Sequence, residues 1–266
     1  MVVERSDGLV LVNSIGAVTV LTLNHPSSLN ALDEIMVKEL QSVLVEVAND
    51  RECRCLVITG AGRAFCSGQA LPGSDRDKQL PWDVEGLIRD RYVPIVTGFR
   101  KLMVPVLAAV NGVAIGAGLS LALAADIRVA SEAAWFGCGF ANLGLIPDAG
   151  ASYFLPRFLG LPRSLQFALS GERMNAETAH QLGMVATVYP EGTFRVDYLR
   201  FAQELASGPT LAFGRTKEAL QVSLESTLEG QLAREGTLQQ ASSLTEDFRE
   251  GLLAFKERRH PTFRGR

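Results

Sequence analysis

The sequence predicts an α/β fold with buried strands. Short apolar runs alternate along the chain with glycine-rich turns and with segments of helical apolar spacing, which is typical of this class. From about residue 160 onward the spacing is helical. A chain of 266 residues is long enough for one large domain or for a domain with an appendage. We expect a core over residues 1–205 and a C-terminal helical region over residues 206–266.

The first half of the chain supplies most of the predicted strands. GAVTVLTL at residues 16–23 is rich in β-branched side chains, which favour strands. Asn30 and Asp33 introduce a helix that runs to about residue 48. The same reasoning predicts, in order, a strand at 55–62, a mobile loop at 72–83, a helix at 84–102, a strand at 104–110, a turn at Asn111-Gly112, a helix from Gly116 and a strand at 126–130.

The second half supplies helices. They are predicted at 148–158, 162–170, 176–182, 194–206, 210–224 and 228–258. The last of them carries an apolar stripe made of Leu228, Leu232, Leu238, Phe248, Leu252 and Phe255. Because such a stripe has to be buried, we expect it to cover both the chain's own core and a neighbouring subunit.

Composition excludes several classes of partner. The 26 basic and 29 acidic side chains give a net charge of −3, so we expect neither nucleic acid nor a membrane surface as a partner. The four cysteines form no ligand or disulfide pattern, which predicts no metal site and favours a cytoplasmic location. The N-terminus does not resemble a signal peptide. The apolar run at 104–124 is nearly long enough to span a bilayer, but Asn111-Gly112 interrupts it.

Several common catalytic motifs are absent from the sequence. GAGLSL has Leu121 where a dinucleotide-binding fingerprint needs its third glycine. The chain contains neither a P-loop nor the GxSxG motif of a nucleophile elbow. The three histidines are widely scattered, which makes a catalytic triad or a metal site a weak hypothesis.

Two glycine-rich turns, GAGRAFCSG at 60–68 and NGVAIGAG at 111–118, are candidates for binding negative charge. Each follows an apolar strand, and the second opens a helix. Unsatisfied backbone N–H groups at such places suit an anion or a developing oxyanion. One N–H from each turn would make an oxyanion hole, although the glycines could equally serve only tight turns and close packing.

Asp148 is the second candidate, because a lone carboxylate follows a proline in the apolar stretch GLIPDAGASYFLPR. It could cap the helix that we expect to begin near Ala149. It could also act as a catalytic acid/base at the floor of a ligand pocket. The helix N-terminus would lower the pKa of this carboxyl group, and an apolar pocket would raise it. We expect desolvation to dominate when a ligand seals the pocket.

The sequence resembles the enoyl-CoA hydratase/isomerase (crotonase) superfamily from about residue 15 to its end. The matching motifs, in the order of the family, are TLNHPSSLNALD, GAGRAFCSGQAL, AAVNGVAIGAGLSLALAADIRVA, WFGCGFANLGLIPDAGASYFLPRFLG and FREGLLAFKERRHPTF. This resemblance implies a spiral of ββα units with C-terminal helices that drive assembly into a trimer or hexamer. It also implies an acyl-CoA thioester substrate whose enolate is held by two peptide N–H groups, here those of Gln69 and Ala117.

The sequence departs from the hydratases of this family at the two positions that carry their catalytic glutamates, which Ser120 and Phe140 occupy here. Asp148 stands where hydratases have glycine. The ring-1,2-epoxyphenylacetyl-CoA isomerases of the family, which also shift double bonds between 3-enoyl- and 2-enoyl-CoA, have their catalytic aspartate at this position. Ala70 differs from the aspartate that these isomerases often carry. The resemblance therefore implies an isomerase with Asp148 as general acid/base.

The resemblance also implies residues that bind coenzyme A. We expect these contacts, with coenzyme A as part of the substrate and no permanently bound cofactor, from Asn30, Ala31, Leu32, Ala64, Phe65, Ser67, Gly68, Gly116, Ser120, Phe140, Lys256 and Phe263. The basic tail that carries Lys256 and Phe263 could instead be a solvated segment. The loop at 71–95 and the entry to the helix at 148–158 are expected to shape the acyl pocket.

Three alternatives remain open from the sequence. One is an enoyl-CoA hydratase that recruits other groups, with Ser120 positioning water. A second is a halobenzoyl-CoA dehalogenase, which by resemblance needs a histidine near residues 64–100, where this chain has none. The third is a non-catalytic binding protein with the same fold. Ligand-dependent thermal stabilisation by coenzyme A would separate an enzyme from such a scaffold.

Overall fold

The computed structural model describes residues 3–71 and 83–266, which form an α/β structure with two sheets. The strands are β1 (Val10–Ile15), β2 (Val18–Leu23), β3 (Cys55–Gly60), β4 (Ala64–Cys66), β5 (Val106–Val110), β6 (Val113–Ile115), β7 (Ile127–Ser131), β8 (Trp135–Gly137), β9 (Arg173–Asn175) and β10 (Thr187–Tyr189). The predicted loop at 72–83 lies outside the described residues except for Asp83.

The helices surround these sheets. They are α1 (Glu34–Asn49), α2 (Val84–Leu87), α3 (Val93–Lys101), α4 (Ala117–Ala124), α5 (Ala151–Ser170), α6 (Ala176–Gln181), α7 (Phe194–Ser207), α8 (Thr210–Val222), α9 (Leu228–Ser243) and α10 (Glu246–Glu257). A π-helical turn, Ile88–Tyr92, joins α2 to α3. Within the described residues, no helix combines the length and the apolar character that crossing a bilayer requires.

The two sheets arise from a repeated pattern in the chain. The larger sheet has the order β1-β2-β3-β5-β7-β10, and the smaller one has the order β4-β6-β8-β9. β3, β5 and β7 each enter the larger sheet, and the short strand that follows each of them, β4, β6 or β8, enters the smaller sheet. The pairing is parallel except at β1–β2 and β8–β9. Successive strand pairs therefore bring the loops that follow β4 and β6 side by side.

The larger sheet is buried on both faces, which explains its continuous apolar strands. One face packs against α1, α3 and α4 through residues such as Leu40, Phe99 and Leu119. The other face is covered by α7, where Phe194 and Tyr198 contact the strands. The predicted α/β class with buried strands is confirmed.

Two predictions about the first half of the chain need correction, and several short strands were not predicted. The strand predicted at 16–23 begins at Val18, because Gly16 with φ +60 turns the chain back on a preceding strand, β1, that the sequence analysis missed. The short strands of the smaller sheet were also missed, since three residues show no measurable period. The helix predicted at 84–102 contains the π turn at Ile88–Tyr92.

The C-terminal half differs from the prediction in its last helix. The helices predicted at 148–158 and 162–170 are the two segments of α5, and their separation is confirmed by the break at Gly160, whose φ of +70 is not helical. The helix predicted at 228–258 is two helices, because the Thr245 hydroxyl accepts a hydrogen bond from Phe248 N at 3.1 Å and starts α10.

The apolar stripe on the last two helices is not buried against the chain's own core. Leu228 is 70% exposed and Phe255 is 83% exposed, and Leu232, Phe248 and Leu252 are exposed as well. The expectation that this stripe covers the chain's own core is therefore wrong for these five side chains. A neighbouring subunit as its cover stays a prediction.

Candidate active site

The two glycine-rich turns singled out in the sequence meet in space. The parallel pairing of β4 with β6 brings together Gly68, two residues beyond β4, and Gly116, directly after β6. A Cβ atom on Gly68 would lie 2.9 Å from Ile115 O and 3.4 Å from Ala117 N. Gly68 has φ +99 and Gly116 has φ +55, which favours glycine at both positions. The turns are thus in direct backbone contact.

The backbone N–H groups of Gln69 and Ala117 make no hydrogen bond to the described residues. Gly68 O accepts a hydrogen bond from Leu32 N at 2.8 Å, and the N–H of Gln69 belongs to the same trans peptide, so it points in the opposite direction. Ala117 is the first residue of α4, where an N–H has no partner within the helix. Neither N–H donates to any residue in 3–71 or 83–266. The site therefore offers two unused donors on adjacent turns.

Asn30 holds the first of these turns from behind. It is fully buried with φ +57, and its Nδ2 donates to Ala61 O and Ala64 O at 2.9 and 2.8 Å. Its Oδ1 accepts from His25 N at 2.9 Å. The side chain of Asn30 is therefore a structural tie between two loops, a role that sequence reasoning did not assign.

The other residues predicted near this turn are brought together by the structure. Leu32 brackets Gln69, because its N–H donates to Gly68 O and its carbonyl accepts from Ala70 N at 3.0 Å. Ser67 Oγ donates to Ser28 O at 3.0 Å. Ala31 lies beside Leu32, whereas the side chains of Ala64 and Phe65 belong to the core. The stretches 30–32 and 64–68, which contain the residues predicted to contact coenzyme A, thus lie together around the first turn.

Asp148 does not cap the following helix, so that interpretation is wrong. Ala149 with φ +46 and Gly150 with φ +91 delay the start of α5 to Ala151, and the N-cap residue is Gly150. Asp148 Oδ1 is buried and has no hydrogen-bond partner among the described residues. Burial raises the pKa of the Asp148 carboxyl group above its ordinary value. The carboxylate is therefore partly desolvated and unpaired.

Ser120 and Phe140 surround the second turn. The fully buried Ser120 Oγ donates to Asp148 O at 2.9 Å and lies 3.2 Å from Gly116 O. The Phe140 ring is buried, and a Cβ on Gly116 would lie 4.0 Å from its Cζ. Ser120 thereby connects the turn before Ala117 to the backbone of Asp148, and Phe140 supplies an apolar wall.

Tyr92 is a site residue that the sequence analysis did not single out. Its side chain is only 3% exposed, and its hydroxyl donates a hydrogen bond to Gln69 Oε1. It ends the π turn at Ile88–Tyr92, and such turns are frequent at functional sites. A single extra residue inside a helix leaves little trace in apolar periodicity, so only its place in the predicted acyl-pocket segment 71–95 pointed to it.

Lys256 and Phe263 lie on the C-terminal segment, and Phe263 is held near the start of β3. Phe263 O accepts from Arg54 Nη1 at 3.0 Å, and Arg54 directly precedes β3, whereas the candidate site lies beyond the opposite end of that strand. A strand of this length spans roughly 17 Å at about 3.3 Å per residue. Lys256 is exposed on α10. The contact of these two side chains with coenzyme A stays a prediction.

Comparison with known proteins identifies the family. A family model described as enoyl-CoA hydratase/isomerase matches residues 14–266. The chain belongs to the enoyl-CoA hydratase/isomerase family. Two similar proteins are a probable enoyl-CoA hydratase of Rhodobacter capsulatus, 42% identical over 93% of this chain and 94% of that protein, and the 1,2-epoxyphenylacetyl-CoA isomerase of Escherichia coli, 41% identical over 94% and 95%.

A solved structure of the family shares the fold. The enoyl-CoA hydratase from Polaromonas sp. JS666 superposes with a TM-score of 0.90 at 33% identity, covering 96% of this chain and 100% of that one. The predicted crotonase-like spiral of ββα units is thus confirmed. Members of the family act on acyl-CoA thioesters, so the candidate site is the place to look for thioester chemistry.

Proposed function

We propose that the protein is an acyl-CoA isomerase in which Asp148 moves a proton beside a thioester carbonyl. One observation carries this proposal: the partly desolvated Asp148 carboxylate, whose Oδ1 has no hydrogen-bond partner among the described residues, belongs to a residue whose backbone carbonyl accepts from Ser120, close to the turn that presents the Ala117 N–H. The raised pKa of Asp148 suits a general base, because proton transfer is most effective when the pKa approaches the working pH.

The thioester oxygen would accept hydrogen bonds from the N–H groups of Gln69 and Ala117. As Asp148 removes a proton from C2 of a 3-enoyl-CoA, negative charge develops on that oxygen, and each donor contributes on the order of 3 kcal/mol to the transition state. The dienolate then takes the same proton back at C4, which leaves a 2-enoyl-CoA. Atoms and charge balance with a single acid/base.

Hydration makes a different demand on the site. Adding water across a 2-enoyl-CoA needs a group that activates the water and a proton for C2, and family hydratases use two glutamates for this work. Ser120 and Phe140 stand at those positions here, and the Ser120 hydroxyl is already engaged with Asp148 O. A hydratase remains the second candidate because the Rhodobacter capsulatus relative is described as one.

The similarity to the Escherichia coli isomerase supports a second substrate class, an aromatic epoxide of phenylacetyl-CoA. Proton removal at C2 by Asp148 would drive electrons toward the strained epoxide and open the ring system toward an oxepin. Return of the same proton to a ring carbon would make the product an isomer of the substrate. The buried Phe140 ring beside Gly116 offers an apolar surface for such a group.

A homotrimer or hexamer completes the proposal. The exposed stripe on α9 and α10 is an unsatisfied apolar surface, and surfaces of this kind mark subunit contacts. A neighbouring chain could then bring Lys256 and Phe263 to the coenzyme A moiety. Multi-angle light scattering would test the assembly, and a monomer at micromolar concentration would contradict it. The four cysteines are free and buried, which supports work in a reducing cytoplasm.

The decisive experiment offers the protein 3-enoyl-, 2-enoyl- and epoxyphenylacetyl-CoA separately and follows the products by mass and absorbance. Isomerisation leaves the mass unchanged, whereas hydration gives a product heavier by one water. Asp148→Asn keeps the shape of the side chain and removes the base, so turnover should fall by at least about 10²-fold. Wild-type rates in this variant, or a hydrated product alone, would refute the proposal.

A further inference from the structure

Tyr92 is held in a way that links a distant helix to the proposed oxyanion donor. The π turn that it ends is tied to α1, because Gln41 Nε2 donates to Asp90 O at 2.8 Å and to Arg91 O at 3.0 Å. The Tyr92 hydroxyl then donates to Gln69 Oε1. A buried tyrosine hydroxyl needs a hydrogen-bond partner. Here that partner is the side chain of the residue whose N–H is a proposed oxyanion donor.

Gln69 is held by its backbone and by its side chain. Leu32 fixes the backbone, because its N–H donates to Gly68 O at 2.8 Å and its carbonyl accepts from Ala70 N at 3.0 Å. Both polar atoms of the terminal amide are engaged, since Oε1 accepts from Tyr92 and Nε2 donates to Ala70 O at 3.1 Å. The hydrogen bond from Tyr92 therefore tethers the Gln69 side chain to the π turn.

We propose that Tyr92 is a positioning residue that, through the Gln69 side chain, keeps the Gln69 N–H aimed at the thioester oxygen. This inference rests on the proposed function and adds a residue to it. Tyr92 acts through Gln69 and need not touch the substrate.

The protonation state of Tyr92 fits this role. Burial, together with the neighbouring Cys66 and Asp148, raises the pKa of the Tyr92 hydroxyl well above its ordinary value. The group therefore stays protonated, and remains a donor, throughout the pH range in which Asp148 would work.

Two substitutions break the same hydrogen bond from opposite sides. Tyr92→Phe keeps the buried ring and removes the donor. Gln69→Met keeps the backbone N–H and the chain length but removes the acceptor, together with the Nε2 donor to Ala70 O. Each should lower kcat for the 3-enoyl-CoA shift by about tenfold with KM within about twofold, since small misplacements cost this much. Because the Tyr92–Gln69 hydrogen bond can be lost only once, the double variant should be no worse than Gln69→Met alone.

Tyr198→Phe is the matched control. Tyr198 is also a buried tyrosine, but it packs against Phe194 on the far face of the larger sheet. We expect its kcat to stay within about twofold of wild type, which corresponds to an ordinary substitution away from the site. Thermal unfolding of every variant separates lost turnover from lost folding.

A spectroscopic readout tests the oxyanion donor directly. A 3-ketoacyl-CoA bound at the site forms an enolate that absorbs in the near ultraviolet, and the pH at which it forms reports how well the N–H groups hold the charge. Tyr92→Phe should raise the apparent pKa of that enolate by about one unit, the equivalent of a tenfold loss. Tyr198→Phe should leave it unchanged.

Several results would overturn the inference. They are unchanged kcat and enolate pKa in Tyr92→Phe, an effect confined to KM, or additive losses in the double variant. If one variant does not fold, the other still tests the hydrogen bond. If the wild-type protein enolises the 3-ketoacyl-CoA but does not shift double bonds, the proposed isomerase function is refuted. The Tyr92 inference is then tested by the apparent pKa of the enolate alone. If the wild-type protein neither enolises the 3-ketoacyl-CoA nor shifts double bonds, both the proposed function and the Tyr92 inference are refuted.

Discussion

Gly68→Ala is the substitution that most directly separates the two proposed oxyanion donors. The added Cβ would lie 2.9 Å from Ile115 O and 3.4 Å from Ala117 N. Both neighbours are backbone atoms that cannot rotate away as a side chain would. The chain at Gly68 must therefore move away from Ile115 O by a few tenths of an ångström, which displaces the Gln69 N–H relative to the Ala117 N–H and weakens their convergence on one oxygen.

The expected loss follows from that displacement. A misplacement of about 1 Å in a reacting geometry costs on the order of 10² in rate, and complete loss of one oxyanion donor costs about 10²–10³. We expect kcat for the 3-enoyl-CoA shift to fall by about 10- to 100-fold. Holding alanine at the φ of +99 found at Gly68 should also cost about 1–3 kcal/mol of stability.

Gly183→Ala separates the two effects. Gly183 has φ +81, and no atom of the described residues lies within 4 Å of a Cβ placed there, so this variant carries backbone strain without a clash. We expect a comparable loss of stability in thermal unfolding, with kcat within about twofold of wild type. Full activity in Gly68→Ala, or equal losses of activity in both variants, would refute the convergence of the two turns on the substrate.

Further predictions concern Asp148, Ser120 and Thr245. Because burial raises the pKa of Asp148 above 3.8, kcat/KM should fall toward low pH with a midpoint above that value, and a pH–rate profile with its acidic limb at 3.8 would contradict this. The folded state also binds that proton more tightly than the unfolded state, so this stabilising contribution is present below pH 3.8 and is lost as the pH rises through the folded pKa. Asp148→Asn should accordingly raise Tm at neutral pH but not in acid, and an equal Tm change at both would argue against the shift. Ser120→Ala removes a partly buried hydrogen bond to Asp148 O, so denaturant unfolding should show a loss of about 1 kcal/mol, and kcat should fall with KM unchanged. Thr245→Ala removes the cap of α10 and should cost about 1 kcal/mol in the same assay, whereas an unchanged midpoint would mean that the cap contributes nothing.

The sequence predicted those parts of the candidate site that a short stretch of residues reveals by itself. Glycines that directly follow apolar strands have few roles, and parallel pairing of β4 and β6 necessarily brings their following turns together. Asp148 was identified because an unpaired carboxylate in an apolar stretch needs a reason. The capping interpretation failed because Ala149 and Gly150 both adopt positive φ, and a positive φ at alanine is not readable from sequence.

The features that were missed depend on tertiary contacts. The hydrogen bond from Tyr92 to Gln69 joins residues 23 positions apart, and the π turn that allows it breaks helical periodicity by one residue. The sequence assigned Asn30 only a contact with coenzyme A. Its side chain donates hydrogen bonds to the loop at 61–65, and these long-range contacts cannot be read from the sequence. The separation of Phe263 from the site follows from its hydrogen bond to Arg54 at the far end of β3.

In the proposed mechanism, Ser120 positions the general acid/base, where a hydratase would by resemblance carry a catalytic glutamate. By resemblance, hydratases place a reacting carboxylate at this position, one turn into α4. Here the Ser120 hydroxyl instead connects the backbone of Asp148 to the turn that presents the Ala117 N–H. A base that must serve two carbons of one substrate has to keep its distance from the thioester oxygen while the double bond shifts. The hydrogen bond of 2.9 Å from the buried Ser120 hydroxyl to Asp148 O fixes the backbone that carries this carboxylate.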